Sequence, residues 1–166
     1  MTAARQQRKP RKTLGMALGL ALFAGIFAPA AILAAPSDPI VVDPHSGLAI
    51  SGFDPVAYFV DAKPEVGRPN MELRFDDTVW RFRNEGNRAA FAEHPEVYAP
   101  RFGGYDPVAI ARGTSVAGNP FFWAVAAERL YLFYSAEART AFLADPGGVI
   151  ERATRKWPEV VRTIGR

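Results

Sequence analysis

Hydrophobic residues follow two regimes along this chain. From Thr13 to Ser37 no residue is charged, and the run is apolar all round. From Leu48 onward, apolar residues come in short bursts separated by Gly, Pro, Asp and Asn. The segments MELRF (71–75) and VWRFR (79–83) have strand-like residues, and the polar Asp76-Asp77-Thr78 between them predicts a hairpin turn. FFWAVAA (121–127) and LYLFY (130–134) predict a second hairpin. A capping residue follows each: Asn84 starts a helix to about Glu93, which Pro95 stops, and Ser135 starts one to Ala144. Two octets, GFDPVAYF (52–59) and GYDPVAIA (104–111), open short helices. In each, an Asp side chain can accept from free N–H groups, and Pro fits the first helical position. The tail from Gly148 to Ile164 predicts a helix interrupted at Pro158.

These elements recur in order. Phe82, Arg88, Ala90, Phe91 and Pro95 return as Phe133, Arg139, Ala141, Phe142 and Pro146, 51 residues later. Asp54 returns as Asp106, 52 residues later. Two blocks in one order at nearly one offset point to an internal duplication, about 51–102 and 103–153. The expected fold is α+β: two repeated units, each of short helix, β-hairpin and capped helix, packed face to face in one small domain with a C-terminal helix. Neither hairpin could bury its apolar face alone.

Composition fits a folded protein, with 49% apolar and 22% charged residues in 166. The net charge of +3 is misleading. Arg5, Arg8, Lys9, Arg11 and Lys12 crowd the first twelve residues, and without them 15 Lys and Arg face 17 Asp and Glu. The folded part gives no electrostatic case for nucleic acid. Positive charges ahead of an apolar run form an export pattern, so residues 1–35 are expected to be a signal peptide or an N-terminal membrane anchor. Small residues at Ala28-Pro29-Ala30 favour cleavage, while Leu14 to Ala35 is long enough to cross a bilayer. Either outcome delivers the domain to the periplasm, soluble or anchored by residues 14–35, with membrane contact through that segment alone. Residues 36–47, with three prolines, are expected to be a linker to a domain spanning 48–166. There is no cysteine, so no disulfide, thiolate nucleophile or thiolate metal ligand.

Several stretches resemble the YHS-domain family. They are Asp54-Pro55-Val56, Trp80-Arg81-Phe82, and Phe91-Ala92-Glu93-His94-Pro95 with Tyr98. The longer Ser51–Phe59 and Tyr98–Tyr105 resemble its exported, single-domain bacterial members, and the likeness runs from about Leu48 to Pro158. The resemblance implies a heavy-metal ligand such as copper, held by Cys after Asp-Pro-Val and by Cys-Ser-x-x-Cys after the aromatic strand. Here Ala57, Arg83 and Asn87 stand at those positions, and Ala109, Tyr134 and Ala138 in the second unit. Where exported relatives often have Cys after Gly-Gly-Tyr, this chain has Asp106. A thiolate site is therefore excluded.

What remains for chemistry is sparse. Asp54 and Asp106 could meet as paired carboxylates and, with His94, hold a divalent metal through oxygen and nitrogen. The plainer reading makes the aspartates separate helix caps and His94 a surface residue at a helix end. His45 falls in the linker, and no nucleophile elbow or phosphate loop is present. The strand aromatics read as core, although an exposed patch at Phe121-Phe122-Trp123 would suit an interaction module. The expected function is a non-enzymatic binding or accessory module in the cell envelope, without a resident cofactor, whose partner is an envelope protein or small ligand. The alternative is copper or zinc handling by Asp54, Asp106 and His94. An enzyme would need a carboxylate and His94 to converge in one cleft.

Overall fold

The computed structural model describes residues 38–164. It is an α+β arrangement with two separate antiparallel hairpins. A 3-10 turn at Ile50–Gly52 leads to α1 (Ala57–Val60), then β1 (Glu72–Phe75), β2 (Thr78–Arg81) and α2 (Glu85–Glu93). Helix α3 (Pro95–Tyr98) leads to a second 3-10 turn at Arg101–Gly104 and α4 (Pro107–Ala111). Strands β3 (Asn119–Ala126) and β4 (Arg129–Phe133) follow, then α5 (Ala136–Ala144) and α6 (Pro146–Val161). Among the described residues, no helix is long and apolar enough to cross a membrane. The expected signal or anchor, residues 1–35, lies outside them.

Local chemistry sets most boundaries. The side chains of Asn84 and Ser135 accept from the N–H groups of Asn87 and Ala138, as helix caps should. Pro95 does not merely end α2. It stands at the first position of α3, with His94 between the two helices in a non-helical conformation (φ −135°, ψ 59°). Helix α6 starts at Pro146 rather than Gly148, because Asp145 accepts from the Gly148 N–H. Pro158 does not interrupt it. The proline ring faces solvent, where water can satisfy the carbonyl it orphans. The buried stripe Val149, Ala153, Trp157 and Val160 holds the helix to the body.

The stretch expected as a linker is part of the folded body from Asp38 onward. The Val41 N–H donates to the Gly103 carbonyl at 2.8 Å, and Ile50 N–H to the Val41 carbonyl at 3.0 Å. Asp43 accepts from the backbone of His45 and Ser46, closing a turn back to Ala49. Gly103 lies so close to Pro39 that a Cβ would run into its carbonyl.

Both hairpins turn through two residues with positive φ: Asp76 and Asp77 (53° and 56°), Ala127 and Glu128 (48° and 57°). That is the two-residue turn whose twist matches paired strands, and it prefers Asn-Gly or Asp-Gly. Ala and Glu are strained there. Replacing Ala127-Glu128 by Asn-Gly should raise unfolding stability by about 1 kcal/mol. Urea denaturation with an unchanged m-value would report it.

Two apolar clusters form the core. One gathers Ile50, Val56, Tyr58, Trp80, Phe82 and Phe91 from the first half. The other gathers Phe102, Ile110, Phe142, Ala153 and Trp157 from the second half and α6. Strand β4 is buried on both faces and serves both. Leu130 and Leu132 enter the first cluster, Tyr131 and Phe133 the second. Of the strand aromatics expected inside, Trp80, Phe82, Tyr131 and Phe133 are buried. A register shift between Asn119 and Trp123 turns Phe121 outward, and Phe121 and Tyr134 are each 64% exposed.

Candidate functional site

Asp54 and Asp106 are the only charged residues buried among those described. At Asp54, Val56 N–H (2.9 Å) and Ala57 N–H (3.3 Å) donate to Oδ1. Arg83 N–H (2.8 Å) and the Asn87 side-chain amide (2.7 Å) donate to Oδ2. One carboxylate thus ties the start of α1 to the end of the first hairpin and to α2. At Asp106, Val108 N–H (2.7 Å) and Ala109 N–H (3.4 Å) donate to Oδ1, and Tyr134 N–H (3.0 Å) to Oδ2.

The surroundings match as well. Asp54 N–H donates to the Glu65 carbonyl, and Asp106 N–H to that of Val116. Gly67 N–H donates to the Gly52 carbonyl, and Gly118 N–H to that of Gly104. A Cβ on Gly67 would fall 2.7 Å from the Phe82 nitrogen, and one on Gly118 2.6 Å from the Leu132 Cβ. Both glycines therefore mark places where a loop lies flat on a strand. None of these bonds joins Asp54 to Asp106. Each carboxylate is engaged within its own half.

His94 is not brought to either aspartate's bonding shell. Its side chain is 55% exposed, with ring nitrogens 3.4 Å from Glu96 and 3.8 Å from Glu93. Among the described residues, no three His, Asp or Glu side chains are grouped to hold a metal ion. The expected metal set of Asp54, Asp106 and His94 is thus not assembled, because capping occupies the carboxylates and the histidine sits at an exposed helix junction. His45 is exposed in the turn closed by Asp43.

The halves differ in the residues around the two aspartates, and a cleft lies beside the second. Asn87 fills the space over Asp54, whereas the residue 51 positions on is Ala138, whose methyl offers Asp106 Oδ2 no donor in place of that amide. In the first half, Asp61, the C-cap of α1, pairs with Arg83. In the second, the C-cap of α4 is Arg112 and the counterpart of Arg83 is Tyr134, which cannot form such a pair. The cleft, of about 520 Å³, lies between α4 and α5. Val108, Ala109, Val116, Ala138 and Ala141 supply apolar wall, and Asp106, Arg112, Thr114, Tyr134, Ser135 and Glu137 supply polar groups. The Ser135 hydroxyl beside Glu137 holds its carboxyl below the usual carboxylate range, so Glu137 is ionised at neutral pH. No histidine lines the cleft.

Arg112, Glu137 and Thr114 were not singled out from sequence. The signal that could have found them is the contrast between residues 51 positions apart: Asn87 against Ala138, and Arg83 against Tyr134. Ala109, Tyr134 and Ala138, the second-half positions where the family resemblance implies cysteines, all line the cleft.

Tyr58 links the halves beneath the first aspartate. Its hydroxyl donates to the Pro120 carbonyl at 3.0 Å. Burial, with the Asp54 carboxylate nearby, pushes the phenol well above its ordinary range, so it stays a donor at any physiological pH. Comparison with known proteins returned no match among family models, curated proteins or solved structures.

Proposed function

We propose that the chain is an exported YHS-like binding module of the cell envelope, non-enzymatic, with its ligand site in the cleft beside Asp106. The reading rests on one observation. The same scaffold position is filled by a hydrogen-bonded Asn87 in the first half and left open by Ala138 in the second. A concave, partly apolar pocket with a few convergent polar groups is the usual form of a small-ligand site. The shared bonding around the two aspartates supports descent from one duplicated unit, in which one copy holds the fold and the other is free to bind. Delivery to the periplasm follows from the N-terminal sequence, soluble or anchored through residues 14–35.

The test is methyl NMR on the full chain, labelled at alanine and titrated with a small-fragment library. Shifts should concentrate at Ala109, Ala138 and Ala141. Ala138→Asn should rebuild the first-half arrangement, with its amide donating to Asp106. It should weaken fragment binding by at least about tenfold while raising unfolding stability by about 1 kcal/mol. Fragments that leave the three alanines unmoved would overturn the site.

A further inference from the structure

We infer that the cleft takes a small zwitterion with an apolar body, its anionic group on Arg112 and its cationic group on Glu137. The inference rests on the cleft being the binding site. Both side chains line it, and both are exposed at its edge. Among the described residues, Arg112 has no carboxylate within 4.0 Å, and neither does Glu137 have a cation. The other polar walls do not cancel these charges. Thr114, Tyr134 and Ser135 are neutral; the Asp106 carboxylate also lines the cleft, but it is buried and its oxygens are held by three backbone N–H groups rather than by Arg112.

The contrast with the first half gives the pattern its meaning. There the residue ending the short helix is an acid, Asp61, and it is paired with Arg83. Here the helix ends on a base, Arg112, the residue 51 positions after Arg83 is the uncharged Tyr134, and of the two lining acids Asp106 is buried while Glu137, on α5, is exposed. One cation and one anion are left facing a gap floored by Val108, Ala109, Ala138 and Ala141. A ligand with a single charge would satisfy one and leave the other facing an apolar body. A neutral ligand would satisfy neither. Complementary charge at both ends selects a zwitterion and rejects its singly charged relatives.

The test uses the full chain in mild detergent, followed by alanine methyl NMR. Four probes are compared: L-leucine and 6-aminohexanoate, with charges close together and far apart, and hexanoate and hexylammonium, with one charge each. One zwitterion should bind at least about tenfold tighter than both singly charged probes. Arg112→Gln and Glu137→Gln should each erase that advantage while leaving the melting temperature in place, since both side chains are exposed. Hexanoate binding as tightly as the better zwitterion, with Glu137→Gln silent, would overturn the inference and leave the cleft standing as an anion site. Library fragments that shift the alanines while neither zwitterion does would overturn it likewise. No shift from any probe or fragment would overturn the cleft itself.

Discussion

Asp54→Ala is expected to lower the unfolding free energy by about 3–5 kcal/mol, more than removal of a helix cap alone. A capping aspartate lost to alanine costs about 0.5–2 kcal/mol. Asp54 does more than cap. It is fully buried, and its second oxygen receives the Arg83 N–H and the Asn87 amide from a different part of the chain. Alanine would strand four donors, each costing about 1–3 kcal/mol when buried and unsatisfied, with some relief from water entering the void. Asp106→Ala should cost only about 2 kcal/mol. It strands three donors, and the adjoining cleft gives water a way to them. Asp54→Asn would not rescue, because an amide nitrogen would face the two donors at the second oxygen. Urea titration followed by tryptophan fluorescence would give all three values. Equal losses under 2 kcal/mol for both alanine variants would reduce the pair to simple caps.

Phe91→Ala should be as damaging, at about 3–5 kcal/mol. The Phe91 ring is fully buried and meets three others, with centroids at 4.9 Å from Trp80, 5.3 Å from Phe82 and 5.7 Å from Phe75. Removing it leaves a cavity among rigid rings that cannot collapse easily. Small domains have only about 5–15 kcal/mol in total, so this variant should lie near the edge of folding at 37 °C. Phe91→Leu should cost under about 2 kcal/mol, since most of the volume is kept. Phe142→Ala, at the matching position, loses contacts with Tyr131 and Phe133 and should fall in the same range. Thermal melts would rank the four proteins. A Phe91→Ala melt within a few degrees of wild type would mean that the aromatic cluster is not the stabilising centre.

What the sequence made legible was whatever neighbouring residues decide. Asn84, Ser135 and Asp106-Pro107 announce helix starts because capping acts over three residues, whereas Asp54-Pro55 marks a turn that enters α1 only at Ala57. The hairpins announce themselves because strand composition and turn residues are local too. Three features were hidden. The docking of residues 38–47 depends on a carbonyl 62 residues from Val41, that of Gly103, which no short window contains. The continuity of α6 through Pro158 depends on Trp157 and Val160 being held by other elements. The cleft depends on which side chain fills a space defined in three dimensions, and it becomes visible only when Asn87 and Ala138 are seen as occupants of the same place. The metal set of Asp54, Asp106 and His94 joined residues of suitable chemistry without the geometry that would gather them.

Strand β4 alternates Leu130 and Leu132 into one cluster with Tyr131 and Phe133 into the other. A strand shared in this way makes the two halves a single cooperative unit. Neither can open without exposing part of the other's interior, so among the described residues partial unfolding is suppressed and breathing is confined to loop tips. The same rigidity reaches the cleft, because Tyr134, which follows β4 directly, forms part of its wall. On the proposed function, a ligand would meet walls that have already lost their conformational freedom during folding, and little further ordering would oppose its binding.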